Sequence, residues 1–232
     1  MKKFLRFGPR LLGVWAILLL MTIPSGATSL KVMNLEDLVE HSQRIFSAVC
    51  QSVSSGLDEN NLPYTRYSFL VTDGIHGVAN QQVVVIKQFG LAEPIRLDNG
   101  VTRVSRIEGM PRYVPGQAYL LFLNQDSRFG FSSPIGLIQG AFRVRGQGTS
   151  RTVVNGLRNA NLLIDTRKSI QQRNQERQQN LSRPAPVRLP DEQVRGPVSY
   201  DNLRGLVRGL LSGESLDLPA ASRLLGRREG QQ

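Results

Sequence analysis

Residues 64–72 read YTRYSFLVT, and they alternate strictly: Thr65, Tyr67, Phe69 and Val71 fall on one side, Tyr64, Arg66, Ser68 and Leu70 on the other. Successive side chains of an extended chain point to opposite faces, so this spacing predicts a half-buried β-strand and puts the surrounding chain in a β-rich class.

Working outward, the residues on either side repeat the same kind of signal. Upstream, Arg44 to Val53 places Ile45, Val49 and Val53 on one face and Phe46, Ala48 and Cys50 on the other, which predicts a second strand. Gly56, the polar run Asp58–Asn61 and Pro63 make the connection between the two a turn. Before them, Asn34 stands in capping position with Asp37 three residues on, ahead of Leu35, Leu38 and Val39 at helical spacing, which predicts a helix over 35–42. Downstream, Asp73-Gly74 and Gly77 read as turn signals, and Gln82–Phe89, with Val83-Val84-Val85-Ile86 at its centre, reads as a strand covered on both faces. Gln117–Leu123 is a further short apolar strand. Phe131–Arg145 is a last one, bent at Pro134, Gly136 and Gly140, with Phe142 and Val144 inward between Arg143 and Arg145.

Five short strands behind one helix, without repeated strand–helix alternation, point to a mainly β fold over residues 30–145. A small five-stranded, OB-like antiparallel barrel is the preferred architecture, and a small sandwich the alternative. Leu91 to Pro115 exceeds an ordinary connection, so it is either the main functional loop or the place of an extra strand near Val101–Ile107.

Past Gly146 the composition changes. Residues 166–198 hold no aromatic, a Gln-rich run and several prolines, too little apolar surface to offset the entropy of ordering. The reading is a polar, largely disordered linker over 146–198, an amphipathic helix over 199–212 and a flexible tail over 213–232. Ser199 caps that helix, whose Leu203, Leu206, Val207, Leu210 and Leu211 recur at i, i+3, i+4, i+7 and i+8. Docking on the protein's own core leads its three readings, before a partner's groove and a membrane surface.

The first 27 residues read as a secretory signal peptide. Lys2, Lys3, Arg6 and Arg10 precede an apolar run that extends only from Leu11 to Ile23, against the roughly 20 residues a membrane-spanning helix takes. Pro24 and the small residues Ser25-Gly26-Ala27 follow, so cleavage is expected after Ala27, with a periplasmic or extracellular destination and no stable membrane anchoring. The formal net charge of +11 and pI of about 10.6 would raise nucleic acid as a partner. The surplus, however, lies in the leader and the tail, while basic and acidic residues nearly balance between Thr28 and Arg145, so nucleic-acid binding is not expected. The single cysteine, Cys50, cannot form an internal disulfide and reads as a buried small hydrophobe.

The runs LEDLVEHSQRIFSAVCQSV (35–53), the alternating strand ending at Gly77, GMPRYVPGQAYLLFL (109–123) and PIGLIQGAFRV (134–144) together resemble a family of uncharacterised exported bacterial proteins with one small β-rich domain. Its members carry a Leu-rich helix, a strand reading Ile-Val-x-Gly-x-Val, a strand end Val-x-x-x-Leu-Lys-Gly and a turn Gly-x-Pro-x-Phe-x-x-Gly-Glu. Here Ala48, His76 and Gln117 stand where glycine, lysine and glutamate are usual. The resemblance implies a fold and export. It implies no catalytic residue.

Chemistry is sparse. There are two histidines, His41 and His76, and neither a His-x-x-x-His nor a Cys-x-x-Cys pair, so no metal or cofactor is expected. A serine nucleophile would need one of those histidines beside it, and no Gly-x-Ser-x-Gly elbow is present. The reading is a non-catalytic exported cell-envelope domain that contacts another envelope or secreted protein. Arg96, Arg103, Arg106 and Arg112 on the long loop, and Leu203, Leu206, Val207 and Leu210 on the late helix, are the candidate partner contacts. On the loop, Glu93, Asp98 and Glu108 lie among the arginines, which favours a salt-bridged surface as the plainer account. The alternatives are an exported hydrolase, which would bring Ser132 or Ser133 to a histidine in a pocket, and a barrel-type inhibitor of an exported protease.

Overall fold

The alternating segment at 64–72 lies within the longest hairpin of the chain. In the computed structural model, which describes residues 31–160, 162–163 and 195–226, β1 (Arg44–Leu57) and β2 (Pro63–His76) pair antiparallel. Asp58 closes the turn between them, its Oδ1 accepting from the amides of Asn60 at 3.0 Å and Leu62 at 2.9 Å. On β2 the residues Thr65, Tyr67, Phe69 and Val71 are buried, and Arg66 is exposed.

The hairpin sits in a seven-stranded antiparallel sheet. β3 (Val83–Phe89), β6 (Ala118–Leu123), β7 (Ala141–Arg145), β8 (Thr152–Asn155) and β9 (Val198–Ser199) complete it in the order β3-β2-β1-β6-β7-β8-β9. A second, two-stranded sheet joins β4 (Ile95–Arg96) to β5 (Thr102–Arg103). Among the described residues three α-helices form: α1 (Leu35–Glu40), α2 (Tyr200–Leu211) and α3 (Leu218–Gly226). The start of α1 is set locally, by a reciprocal pair in which Asn34 Oδ1 accepts from the Asp37 amide at 2.8 Å and Asp37 Oδ2 accepts from the Asn34 amide at 3.1 Å.

Strand alternation divides the core between the two sheet faces. Ile45, Leu120, Phe122, Phe142 and Val153 turn to one side, where Leu35 and Leu38 of α1 and Leu203 and Val207 of α2 cover them. Phe46, Ala48, Cys50, Phe69, Leu121 and Ile86 turn to the other, where Tyr113 from the long loop is their cover. Each such Leu or Phe contributes about 1.5–3 kcal/mol by leaving water, so both faces have to be covered for the sheet to persist.

Several expectations are corrected. The five-stranded OB-like barrel does not form: the sheet has seven strands and does not close, with β3 at one end of its order and β9 at the other. β3 is accordingly an edge strand covered on one face, with Val84 and Ile86 buried and Val83 and Val85 exposed, because an apolar run does not specify how many neighbours a strand acquires. Asp73-Gly74 is no turn. β2 runs through it to His76, with register shifts that bend the pairing near Phe46 and Ser47, and a Cβ at Gly74 would collide with the Val78 carbonyl oxygen. Of the extra strand considered near Val101–Ile107, only Thr102–Arg103 is formed. The boundary at Arg145 falls inside the sheet, since β8 pairs with β7 and β9 with β8, so the linker read over 146–198 contains two strands at its ends. The tail read over 213–232 contains α3, whose Ala221 and Leu225 are buried. The leader predicted over residues 1–27 and residues 164–194 lie outside the described residues.

Candidate functional site

Tyr113 fixes the long loop. Its ring meets Tyr67 at 4.8 Å, Tyr119 at 5.0 Å and Phe69 at 5.1 Å between centroids, each edge to face, a geometry that adds about 0.5–1.5 kcal/mol per pair to the area buried. Backbone bonds hold the remainder: Leu91 donates to the Ser105 carbonyl at 2.8 Å, Ile138 to Gly109 at 3.1 Å and Gly116 to Cys50 at 2.8 Å. The Val114 amide adds a bond to the Tyr119 hydroxyl at 3.0 Å. A segment tied at so many points presents its outward side chains in set positions.

Those side chains are an unusual mixture. Val101, Val104 and Val114 are 55%, 69% and 51% exposed, although burial would be favourable for each. Between them lie the predicted arginines, with Arg96, Arg106 and Arg112 exposed and Arg103 half-buried at the little hairpin. The salt-bridged loop expected from the interleaved acids is not what forms: among the described residues, no ion pair joins these arginines to Glu93, Asp98 or Glu108.

Two hollows flank the loop. The smaller, of about 280 Å³, lies between Arg106, Glu108 and Arg112 and the buried Thr65, Tyr67 and Gln88. Among the described residues, neither the Gln88 Nε2 nor the hydroxyl of Tyr113 has a hydrogen-bond partner. Burial pushes the Tyr113 phenol well above its ordinary range, and the nearby Gln88 amide tempers this without a bond of normal geometry. The larger, of about 510 Å³, is a cleft on the same side of the sheet, lined by Arg112 and by Arg143, Arg145 and Arg158. The alternation around Phe142 and Val144 predicts Arg143 and Arg145 outward, and Arg158 falls in the predicted linker. Their i, i+2 spacing on one strand was the signal available.

The helical half of the predicted contact set is corrected. Leu203 and Val207 are fully buried and Leu206 and Leu210 pack against the same core, so this stripe serves the protein's own interior. Asp73 of β2 fastens α2 in place: it accepts from the Tyr200 hydroxyl at 2.7 Å, Arg204 at 3.2 Å and Arg208 at 3.4 Å.

His41 and His76 are both exposed, with His41 Nδ1 2.8 Å from the Asp37 carbonyl oxygen. Ser132 is buried between Arg44 Nη2 and the Asn124 carbonyl oxygen, each at 3.3 Å, and among the described residues no hydrogen bond joins it to a histidine. Among the described residues, no three His, Cys, Asp or Glu side chains are placed to hold a metal ion, and no helix is long and apolar enough to cross a membrane. Cys50 is buried, and burial pushes its thiol up despite its contact with the Ser52 carbonyl.

No protein-family model matches this chain, and no curated protein or solved structure shows significant similarity to it.

Proposed function

We propose that this chain is an exported, non-catalytic domain of the bacterial cell envelope that acts by protein–protein contact through the loop 91–116. The observation that carries the reading is the loop's outer surface: three exposed valines interleaved with four arginines that have no acidic partner among the described residues, on a backbone pinned by Tyr113. Arginine is enriched among the few residues that carry most of an interface's energy, and a backbone ordered before binding lowers the cost of association. The leader supports export, and the resemblance to exported bacterial proteins supports the setting. The partner is another envelope or secreted protein.

A photo-crosslinking amino acid at Val104 tests this in intact cells. A discrete crosslinked protein is expected, and replacing Arg96, Arg103, Arg106 and Arg112 together by alanine is expected to remove it. The proposal is lost if the same products appear with those arginines gone, or if a probe at the exposed edge residue Val85 gives them equally. Mass spectrometry of the same samples reads the mature N-terminus, expected at Thr28.

A further inference from the structure

We infer that the larger cleft is a binding site for a small organic polyanion, one that carries at least two phosphate or carboxylate groups. The inference is independent of the loop's protein partner and rests on the cleft's lining. Arg112 enters from the loop, Arg143 and Arg145 from β7, and Arg158 from the turn after β8. Four guanidinium groups thus share one hollow that, among the described residues, no carboxylate lines. None of the four has an ion-pair partner among the described residues.

Several cations elsewhere in the same protein are paired. Arg44 pairs with Asp126, Lys87 with Asp58, Arg151 with Asp201, and Arg204 and Arg208 with Asp73. Gathering four like charges without a counter-charge costs repulsion in the empty state, and a concave wall focuses the resulting potential into the hollow. An incoming polyanion relieves the repulsion.

Geometry narrows the ligand further. Arg143 and Arg145 stand two residues apart on one strand, roughly 7 Å along its axis, so a single compact anion does not serve both alike and two separated acidic groups do. All four cations are arginine, whose planar fork matches phosphate and carboxylate oxygens two at a time. Between them the wall is apolar, formed by Ile138, Ala141, Val154 and Pro197, which suits the carbon frame of an organic ligand. The volume of about 510 Å³ falls in the range of roughly 300–1,000 Å³ typical of small-molecule sites.

Calorimetric titration of the full chain with pyrophosphate and with citrate tests the site, with acetate at matched ionic strength as the monoanion control. Saturable binding of pyrophosphate or citrate is expected, absent for acetate, weakened at least tenfold in R143Q/R145Q and in R158Q, and unchanged in R66Q, which removes an exposed arginine from β2. These positions are exposed, so the variants are expected to fold as the parent does by circular dichroism. Arg112 is left in place, so a failure here is separate from a failure of the loop's protein contact. Sedimentation with cardiolipin vesicles, whose headgroup carries two phosphates, distinguishes sources: vesicle binding that R143Q/R145Q abolishes assigns the anion to a lipid headgroup, and its absence alongside pyrophosphate or citrate binding assigns a soluble ligand. The inference is overturned if neither small polyanion binds saturably, if R143Q/R145Q binds them as the parent does, or if only a polymer such as polyglutamate binds.

Discussion

The Tyr200 hydroxyl donates to Asp73 Oδ2 at 2.7 Å across 127 residues of chain, and this bond sets the first turn of α2 against the end of β2. Tyr200, Arg204 and Arg208 recur at i, i+4 and i+8, so one helix face brings all three to the same carboxylate. The Arg151 guanidinium lies over the Tyr200 ring, 4.1 Å from its centroid, and closes the other side.

Removing that hydroxyl in Y200F is expected to cost about 1.5–3 kcal/mol, the range for a hydrogen bond to a charged group, measured as a shift in the urea midpoint at pH 7.

The same bond makes the protein sensitive to alkali. Burial first, and then Asp73, pushes the Tyr200 phenol far above its ordinary value of 10.0. The folded state therefore holds this proton more tightly than the unfolded one. Its contribution is complete below about pH 10 and falls as the pH rises above that, where the unfolded tyrosine ionises and the folded one does not. Burial shifts Tyr67 and Tyr113 in the same direction. Stability measured by urea titration is expected to be level with respect to these groups up to about pH 10 and to decline beyond it, less steeply in Y200F. An equal decline in parent and variant would count against Tyr200.

The sheet is completed from both sides of the segment 164–194, so the chain cannot be shortened at Arg145. Ending it there removes β8, β9, α2 and α3 and leaves α1 alone to cover Leu120, Phe122 and Phe142. No cooperative melt is expected for such a fragment. L203A, which opens a hole in the same packing, is expected to destabilise the full chain by about 2–5 kcal/mol. A fragment that melts as sharply as the full chain would disprove the docking role of α2.

Tyr113 separates packing from polarity. Its ring holds the loop, whereas its hydroxyl has no hydrogen-bond partner among the described residues. Y113A is expected to cost about 3–5 kcal/mol, the range for a buried aromatic, and to open residues 91–112 to limited proteolysis. Y113F keeps the ring and removes an unsatisfied donor, so it is expected to be neutral or to stabilise by up to about 1 kcal/mol. A large loss in Y113F would mean that the hydroxyl is bonded after all.

Cys50 tests the sheet face beneath the loop. With no exposure and a thiol pushed up by burial, it is expected to resist a thiol-reactive dye in native buffer at pH 8 and to react fully in denaturant. Fast reaction of the native protein would show that this face opens.

The sequence by itself determined the parts whose causes are local. Asn34 and Asp37 are near enough in the chain to cap α1 without help. The period of two in β2 and the helical spacing of Leu203 and Val207 each state which side of an element must be hidden from water, and those sides are buried. Only the tertiary structure decided which strands are neighbours and where the sheet ends. Periodicity reports that a face is buried, not what buries it, and pairing energy belongs to edges that are remote in sequence. Thr152–Asn155 and Val198–Ser199 are too short to carry a period, yet they become strands because β7 offers an unpaired edge, to which β8 adds and then β9. The arginine cleft has the same origin: Arg112, Arg143, Arg145 and Arg158 share no motif, and they meet because the order of the sheet sets one loop, one strand and one turn around a single hollow.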